Sequence, residues 1–113
     1  MAIPSGAGTE VLKRVTTHNL NATWSSIITG VANHIYTTLS IVFCSQTGST
    51  ATITIAINDG SNDIYLLSGH SVGANETFVW NDKIVLEGDD ILKVHNSVSN
   101  GDWYVTYIDQ DWT

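Results

Sequence analysis

Cysteine and basic residues are scarce in this sequence, and each scarcity excludes a class of protein. Cys44 is the only cysteine, so no disulfide can form within the chain and the fold must be held by its core. Lysine and arginine number four against eleven acidic residues, which gives a net charge of −7. Nucleic-acid binding and polybasic docking to an anionic membrane both depend on lysine and arginine. We therefore expect neither nucleic acid nor a membrane as a partner.

Long apolar runs and charged residues are also few. No apolar run approaches the roughly 18 residues of a membrane span, and the opening stretch MAIPSGAGTEVLKR lacks the apolar centre of a signal peptide. We therefore expect synthesis in the cytoplasm. Charged residues make up 13% of the chain, against about 25% in a typical domain. Much of the surface must then be neutral and polar, which suits packing against copies of the same chain because neutral groups lose less than charges on desolvation.

Patterns of catalytic and metal-binding residues are missing. The four histidines show no H-x-H or H-x-x-x-H spacing, so no zinc site is expected. The stretch NDGSND, Asn58 to Asp63, carries oxygen ligands of the kind calcium prefers but lacks the rest of a calcium loop, and we interpret it as a hairpin. Cys44 ends the apolar run LSIVFC, where a small half-buried hydrophobe is favoured over a nucleophile. The sequence predicts no catalytic residue, no metal, no cofactor and no enzymatic activity.

Period-two alternation, typical of β-strands, is abundant. In TATITIAI it predicts an inner face of Ala51, Ile53, Ile55 and Ile57, with the threonines and Ala56 outside. In HIYTTLSIVFC it predicts an inner face of Ile35, Leu39, Ile41 and Phe43, and an outer face of Tyr36, Thr38, Ser40 and Val42. Both segments are therefore predicted strands of a sheet with one buried face.

Similar short strands recur at intervals of about ten residues, as in sandwich proteins. The turn stretches NDGSND and SNGD (Ser99 to Asp102) both predict hairpins, because Asn, Asp and Gly tolerate positive φ. The strand count is about eight. We predict an all-β fold, an antiparallel two-sheet sandwich of jelly-roll type, with residues 17–113 as a single domain and residues 1–16 as an extended N-terminal arm.

The predicted arm is the candidate docking segment. Its start, MAIPSGAGT, holds the only proline and has no period that could bury a face. Next to it lie apolar anchors beside two of the four basic residues, in the order Val11, Leu12, Lys13, Arg14 and Val15. On an acidic protein this segment would complement an acidic neighbour. The alternative, in which Val11 to Val15 form the first strand of the sandwich, stays open.

Four tryptophans and four tyrosines supply the remaining signals. Trp80 and Trp103 lie in or beside apolar strands and are expected to fill the core. Trp112, flanked by aspartates, either covers a sheet edge or anchors a partner. Exposed Trp and Tyr on a sandwich would also stack on sugar rings.

One long run, TITIAINDGSNDIYLLSGHSVGANETFVWNDKIVLEGDDILKV, resembles small structural proteins of tailed-bacteriophage particles. In those proteins a strand like VTIAINDG leads into YYL, a VPAGET turn and KIVLEAGD. The matching segments here are Ile53 to Gly60, Ile64 to Leu66, Val72 to Thr77 and Lys83 to Asp90, and SVGANET departs from the pattern by lacking the proline. The resemblance implies a virion protein of the capsid cement, head-fibre or tail-associated kind.

The residues and the resemblance together predict an assembly subunit. We expect a capsid cement or decoration protein, made in the host cytoplasm and located in the virion, that binds the outer shell as a homotrimer and stabilises it. A closed cyclic assembly lets one surface serve a three-fold point of a shell. Its partners would be itself and the major capsid protein or another virion protein. The alternatives are a tail- or fibre-associated sandwich protein and a carbohydrate-binding module.

Overall fold

The computed structural model describes residues 8–20, 22–97 and 100–112, and these form β-strands, turns and loops without a helix. The strands are β1 (Thr9–Leu20), β2 (Trp24–Thr29), β3 (His34–Ser45), β4 (Ala51–Asn58), β5 (Asp63–Val72), β6 (Thr77–Trp80), β7 (Val85–Leu86), β8 (Ile91–Asn96) and β9 (Gly101–Asp111). The all-β prediction is confirmed. Nothing in the described ranges is a helix long and apolar enough to cross a membrane.

The strands form two antiparallel sheets. The first sheet has the order β1-β9-β3-β6, with β7 also paired to β3, and the second has the order β2-β8-β4-β5. The chain changes sheet at most of its connections, so that strands distant in sequence become neighbours. This wrapping is that of a jelly roll, and it confirms the predicted two-sheet sandwich.

The core lies between the sheets. Trp103 is buried and its ring lies 4.8 Å from that of Phe43, as measured between centroids. The indole Nε1 of Trp103 donates a hydrogen bond of 3.2 Å to Oδ1 of the buried Asn96, which satisfies both groups. Trp80 is partly buried and packs against the same cluster. Both tryptophans therefore lie where the sequence predicted.

The alternation predicted for β4 is confirmed, with one addition. Ala51, Ile53 and Ile55 are completely buried, and Ile57 packs against the core. Ala56, predicted on the outside, is buried too. Its short side chain lies between the longer side chains of its register partners on β8 and β5, which are Lys93 and Tyr65.

The alternation predicted for β3 is correct only in the second half of the strand. Ile41 and Phe43 are buried as predicted, but Tyr36 and Thr38 are buried as well, whereas the predicted inner residues Ile35 and Leu39 are only half-buried. The register with β9 shifts between Thr38 and Ser40. This β-bulge inserts one residue and so reverses which side chains face the core.

Residues 9–16, predicted as part of an arm, lie in a strand. β1 pairs with β9 from Thr9 opposite Asp111 to Leu20 opposite Gly101, so the predicted boundary at residue 16 falls within β1. Val11 to Val15 therefore form part of the first strand, which was the alternative interpretation. This segment pairs with β9 on the side away from β3. Residues 1–7 of the predicted arm lie outside the described residues.

The two predicted hairpins have different outcomes. NDGSND is a hairpin between β4 and β5, with Gly60 at a φ of 97°. Backbone N–H groups of Asn62 and Ser61 donate to the Asp59 carboxylate at 2.8 and 3.0 Å, and these bonds hold the pKa of Asp59 below its ordinary value.

The prediction of a hairpin at SNGD is wrong. β8 belongs to the second sheet and β9 to the first, so this turn carries the chain between sheets. Asn100 has a φ of 68°, and Ser99 lies outside the described residues. The turn does need residues that tolerate positive φ, but this requirement is the same for a hairpin and for a crossing, and local composition does not distinguish them.

Candidate interaction surface

The outer face of the first sheet carries two rows of mainly apolar side chains that run across its strands. The register places Leu12, Ile108, Thr37 and Val85 in one row, which we call the Leu12 row. It places Thr16, Tyr104, Val42 and Val79 in another, which we call the Tyr104 row. Between the two rows lie Arg14, Thr106 and Ser40.

Five of the eight members of these rows are exposed, and Ile108, Thr37 and Val42 are half-buried. Leu12 is 68% exposed and Tyr104 43%, and together with Val79 and Val85 they are four of the nine large exposed hydrophobic side chains in the described part of the chain. Single exposed apolar residues are ordinary on a protein surface, whereas a contiguous set marks an interaction site. Directly opposite side chains on paired strands lie about 5 Å apart, so the members of each row form a continuous patch.

A shallow cavity of about 250 Å³ opens beside the Tyr104 row, lined in part by Thr16, Val42, Cys44 and Tyr104. Polar groups close one side of it. Nδ1 of His18 lies 2.8 Å from Oδ1 of Asp102, and Nε2 of Gln46 donates to Oδ2 of the same carboxylate at 2.6 Å. An apolar floor with a fixed polar rim suits one apolar side chain from a partner.

Cys44 is half-buried in this outer face, and the histidines near it in the sheet lie away from its thiol. Asp102 stands directly opposite it on β9. His18 is on β1, two strands away and so about 10 Å distant by strand spacing, and His34 lies at the far end of β3, against Asp109. The geometry favours the interpretation of Cys44 as a small hydrophobe.

The predicted docking residues divide between the two faces of β1. Leu12 and Arg14 lie on the outer face, whereas register partners of Val11, Lys13 and Val15 belong to the inner face. Val15 is half-buried and packs against the core. Of the predicted set, the structure therefore brings Leu12 and Arg14 to the exposed face and uses Val15 for the fold.

Trp112 lies beside the start of β1. Its backbone N–H donates to the carbonyl of Asn33 at 2.9 Å. Its half-buried ring lies so close to Gly8 that a Cβ there would be 2.6 Å from ring atom Cε3. This position is the one expected of a side chain that covers a sheet edge, and glycine at residue 8 makes the contact possible.

A charged cluster at the inner face of the first sheet was not predicted. Oδ2 of Asp109 accepts from Nζ of Lys13 at 2.8 Å, and Oδ1 of Asp109 lies 2.8 Å from Nδ1 of His34. Nε2 of the same imidazole lies 3.4 Å from Oδ1 of Asp111. The cluster connects β1, β9 and β3. The sequence does contain a signal for a buried carboxylate, because Trp103, Val105 and Asp109 lie an even number of residues apart along β9 and so share one face. The first two of these residues face the core.

Protonation in this cluster is set by burial and by the paired charges. The Asp109 side chain is 8% exposed, and burial raises its pKa, but the hydrogen bonds from Lys13 and His34 outweigh burial and leave the pKa below its ordinary value. The hydrogen bond to Asp109 in turn raises the pKa of Lys13. Burial raises the pKa of the neighbouring Tyr36 phenol, and the Asp109 charge adds to this effect. The arrangement links three strands through one carboxylate.

The described ranges contain no group of three or more His, Cys, Asp or Glu side chains placed to hold a metal ion. In the NDGSND hairpin, Oδ1 of Asp63 accepts from Asn58 and Oδ2 from Lys93, each at 2.8 Å. These carboxylate oxygens therefore serve the hairpin and β8.

No protein family model matches the chain, and no curated protein matches it. Among solved structures, it is similar to a subunit of Bacillus endospore appendages, described as a novel family of disulfide-linked pili, with a TM-score of 0.57 and 14% identity over 100% of this chain and 97% of that chain.

Two viral structures are also similar to it. A chain of the infectious bursal disease virus Gx strain has a TM-score of 0.50 and 8% identity over 94% of this chain, and this chain spans only 37% of that one. A pentameric capsid protein from metagenomic phage sequences has a TM-score of 0.46 and 14% identity over 86% of this chain and 61% of that chain. At identities this low, the likeness is one of fold.

Proposed function

We propose that the protein is a structural subunit of an assembled particle, and specifically a capsid cement or decoration protein of a tailed bacteriophage that binds the outer shell as a homotrimer. The observation that supports this most is the exposed apolar outer face of the first sheet, with its Leu12 and Tyr104 rows. The sequence resemblance to phage particle proteins supports a role in a phage particle, and the jelly-roll fold is compatible with that role.

The size of the face supports an interface between copies. The face is four strands wide, with strands about 4.8 Å apart, and about ten residues long, with a rise of about 3.3 Å per residue. Its area is therefore roughly 600 Å². A partner that covers it would bury about twice that area, which exceeds the roughly 1,000 Å² expected of a specific interface.

The chemistry of the face points the same way. Its two rows are neutral. Of its charged members, Glu10 and Asp102 lie at the ends of the strands, and the exposed Arg14 lies between the rows, where its long side chain can keep the guanidinium in water. Covering neutral side chains requires little desolvation of charge, so an apolar partner surface is favoured. A second copy offers such a surface, and the part of residues 1–16 that precedes β1 would then contact the shell.

Light scattering after size-exclusion chromatography tests the proposal. We expect three chain masses for the unaltered protein at micromolar concentration and a shift towards the monomer for Leu12→Ser. Ile64→Ser is the matched control, since Ile64 is also an exposed aliphatic residue but lies on the second sheet. A monomeric unaltered protein would overturn the trimer, and an equal effect of both substitutions would overturn the role of this face.

A filament subunit is the second candidate, favoured by the nearly complete mutual coverage with the endospore appendage subunit. Cys44 is the only cysteine of this chain, and one thiol joins two chains only as a pair. A filament of this protein would therefore need non-covalent contacts between successive subunits. Electron microscopy of the purified protein, alone and mixed with particles stripped of it, distinguishes the candidates. Filaments of the protein alone support the second candidate, whereas discrete particles that decorate the shells support the first.

A further inference from the structure

The outer face of the second sheet differs from that of the first, because aromatic and polar side chains meet there. Trp24 on β2 is 41% exposed and Tyr65 on β5 is 53% exposed. Their rings are perpendicular, with centroids 6.0 Å apart. The ring of His95, opposite Trp24 on β8, lies 5.3 Å from the indole. We call these three side chains the Trp24 cluster.

Charged and polar groups are fixed beside this cluster. Nζ of Lys93 lies 4.6 Å from the centroid of the Trp24 ring and donates to Oδ2 of Asp63 at 2.8 Å. Asn58 donates to the other oxygen of the same carboxylate, also at 2.8 Å. These bonds hold the pKa of Asp63 below its ordinary value. The donors and acceptors are thus held in place before any ligand arrives.

We propose that the Trp24 cluster, with Lys93 and Asp63, is a binding site for a neutral oligosaccharide. The faces of aromatic rings are electron-rich and attract weakly positive groups. The C–H face of a hexose presents such groups, and its hydroxyls both donate and accept hydrogen bonds. A sugar ring over Trp24 or Tyr65 would therefore place hydroxyls within reach of the ammonium and the carboxylate.

The polar groups decide between a sugar and a protein as the ligand. A protein surface laid over this face would bury the Lys93–Asp63 pair, and desolvation of a charge pair costs more than its mutual attraction unless new hydrogen bonds replace water. A sugar supplies those hydrogen bonds from its own hydroxyls. The net charge of −7 disfavours nucleic acids and strongly anionic glycans. A neutral glycan fits both conditions.

The test is a glycan array probed with the fluorescently labelled full chain, followed by calorimetry with each free oligosaccharide that binds. We expect at least one neutral oligosaccharide to bind, and at least tenfold weaker binding for both Trp24→Ala and Tyr65→Ala. Val31→Ala is the matched control, because it truncates an exposed apolar side chain in the loop between β2 and β3, outside both proposed sites, and it should leave sugar binding unchanged. Thermal unfolding of each variant checks that the sandwich is intact.

The proposal is overturned if no neutral oligosaccharide on the array binds. It is also overturned if Trp24→Ala and Tyr65→Ala bind as well as the unaltered chain, or if Val31→Ala loses binding equally. The site is independent of the particle function proposed above. Trp24→Ala should keep the oligomeric mass of the unaltered chain, so failure of one proposal does not resemble failure of the other.

Discussion

At the scale of single residues, Asp109 is a buried carboxylate whose interactions stabilise the fold. Its two oxygens engage Lys13 and His34 at 2.8 Å each in a position that is 8% exposed. Asp109→Asn keeps the shape but removes the charge, which leaves Lys13 without its anionic partner and leaves His34 with only the more distant Asp111. We expect the free energy of unfolding in urea to fall by about 1–3 kcal/mol, a range below that of fully buried pairs because Lys13 is partly exposed. Asp82→Asn, an exposed acid, is the control. Equal stability of the two variants would contradict the role of the cluster.

The same residue predicts a pH dependence. The pKa of Asp109 is lower in the folded chain than its ordinary value, so ionised Asp109 stabilises the fold at pH values above the unfolded pKa of about 3.9. That contribution is lost as the pH falls through the folded pKa. We expect the urea midpoint to decrease from pH 6 to pH 3, and to decrease less in Asp109→Asn. Parallel pH curves for the two proteins would show that other carboxylates are responsible.

At the scale of strands, the β3 bulge places a threonine in the core. Oγ1 of Thr38 accepts from the backbone N–H of Ile84 at 3.0 Å, and the backbones of these residues also pair at 2.9 Å. Thr38→Val preserves the volume but leaves the buried Ile84 N–H without its acceptor. We expect a loss of about 1–3 kcal/mol in urea unfolding. Thr37→Val, one residue away on the outer face, should change stability by less than about 0.5 kcal/mol. A similar small change for Thr38→Val would contradict the need for this bond.

The bulge also shows which part of the fold the sequence could predict. Ala51, Ile53 and Ile55 were placed correctly because alternation is a local property of one strand. The shift after Thr38 depends on the register with β9, where the partners of Thr38 and Ser40, Tyr107 and Thr106, lie 69 and 66 residues further along the chain. Neither partner carries a local sign of the shift. Long-range pairing also explains why SNGD connects the two sheets and does not form a hairpin, because β8 and β9 pair with strands of different sheets.

The candidate surface follows the same division. Leu12 and Arg14 were selected from the sequence because apolar anchors beside basic charge are unusual on this acidic chain. Ile108, Val85 and Val79 were not, since each is ordinary in its own strand. They become one surface only when β1, β9, β3, β6 and β7 are set side by side.

At the scale of the whole molecule, the two sheets present different outer faces. The first sheet offers neutral apolar rows suited to another protein surface, and the second offers aromatic rings beside a fixed ion pair suited to a polar ligand. A sandwich has both faces available at once, because its core is sealed between the sheets. A subunit that packs through one face on a particle would therefore keep the other for a second ligand.

The N-terminal segment connects fold and assembly, and two deletions separate its roles. β1 begins at Thr9, and the pairs from Thr9 to Thr16 join it to β9. Deletion of residues 2–7 leaves all of these pairs, the contact of Trp112 with Gly8 and the Lys13–Asp109 bond intact. We therefore expect this variant to keep the circular dichroism spectrum and unfolding midpoint of the full chain. If the segment docks on the shell, the amount of the variant that cosediments with particles stripped of this protein should be at least tenfold lower than for the full chain.

Deletion of residues 2–16 should act on the fold itself. It removes most of β1, exposes the edge of β9 to pairing with other chains, and leaves Asp109 without Lys13. We expect an aggregated or unfolded product, which circular dichroism and light scattering would detect. A longer deletion that folds as stably as the full chain would show that β1 is dispensable. A shorter deletion that binds particles as tightly as the full chain would show that residues 2–7 do not dock on the shell.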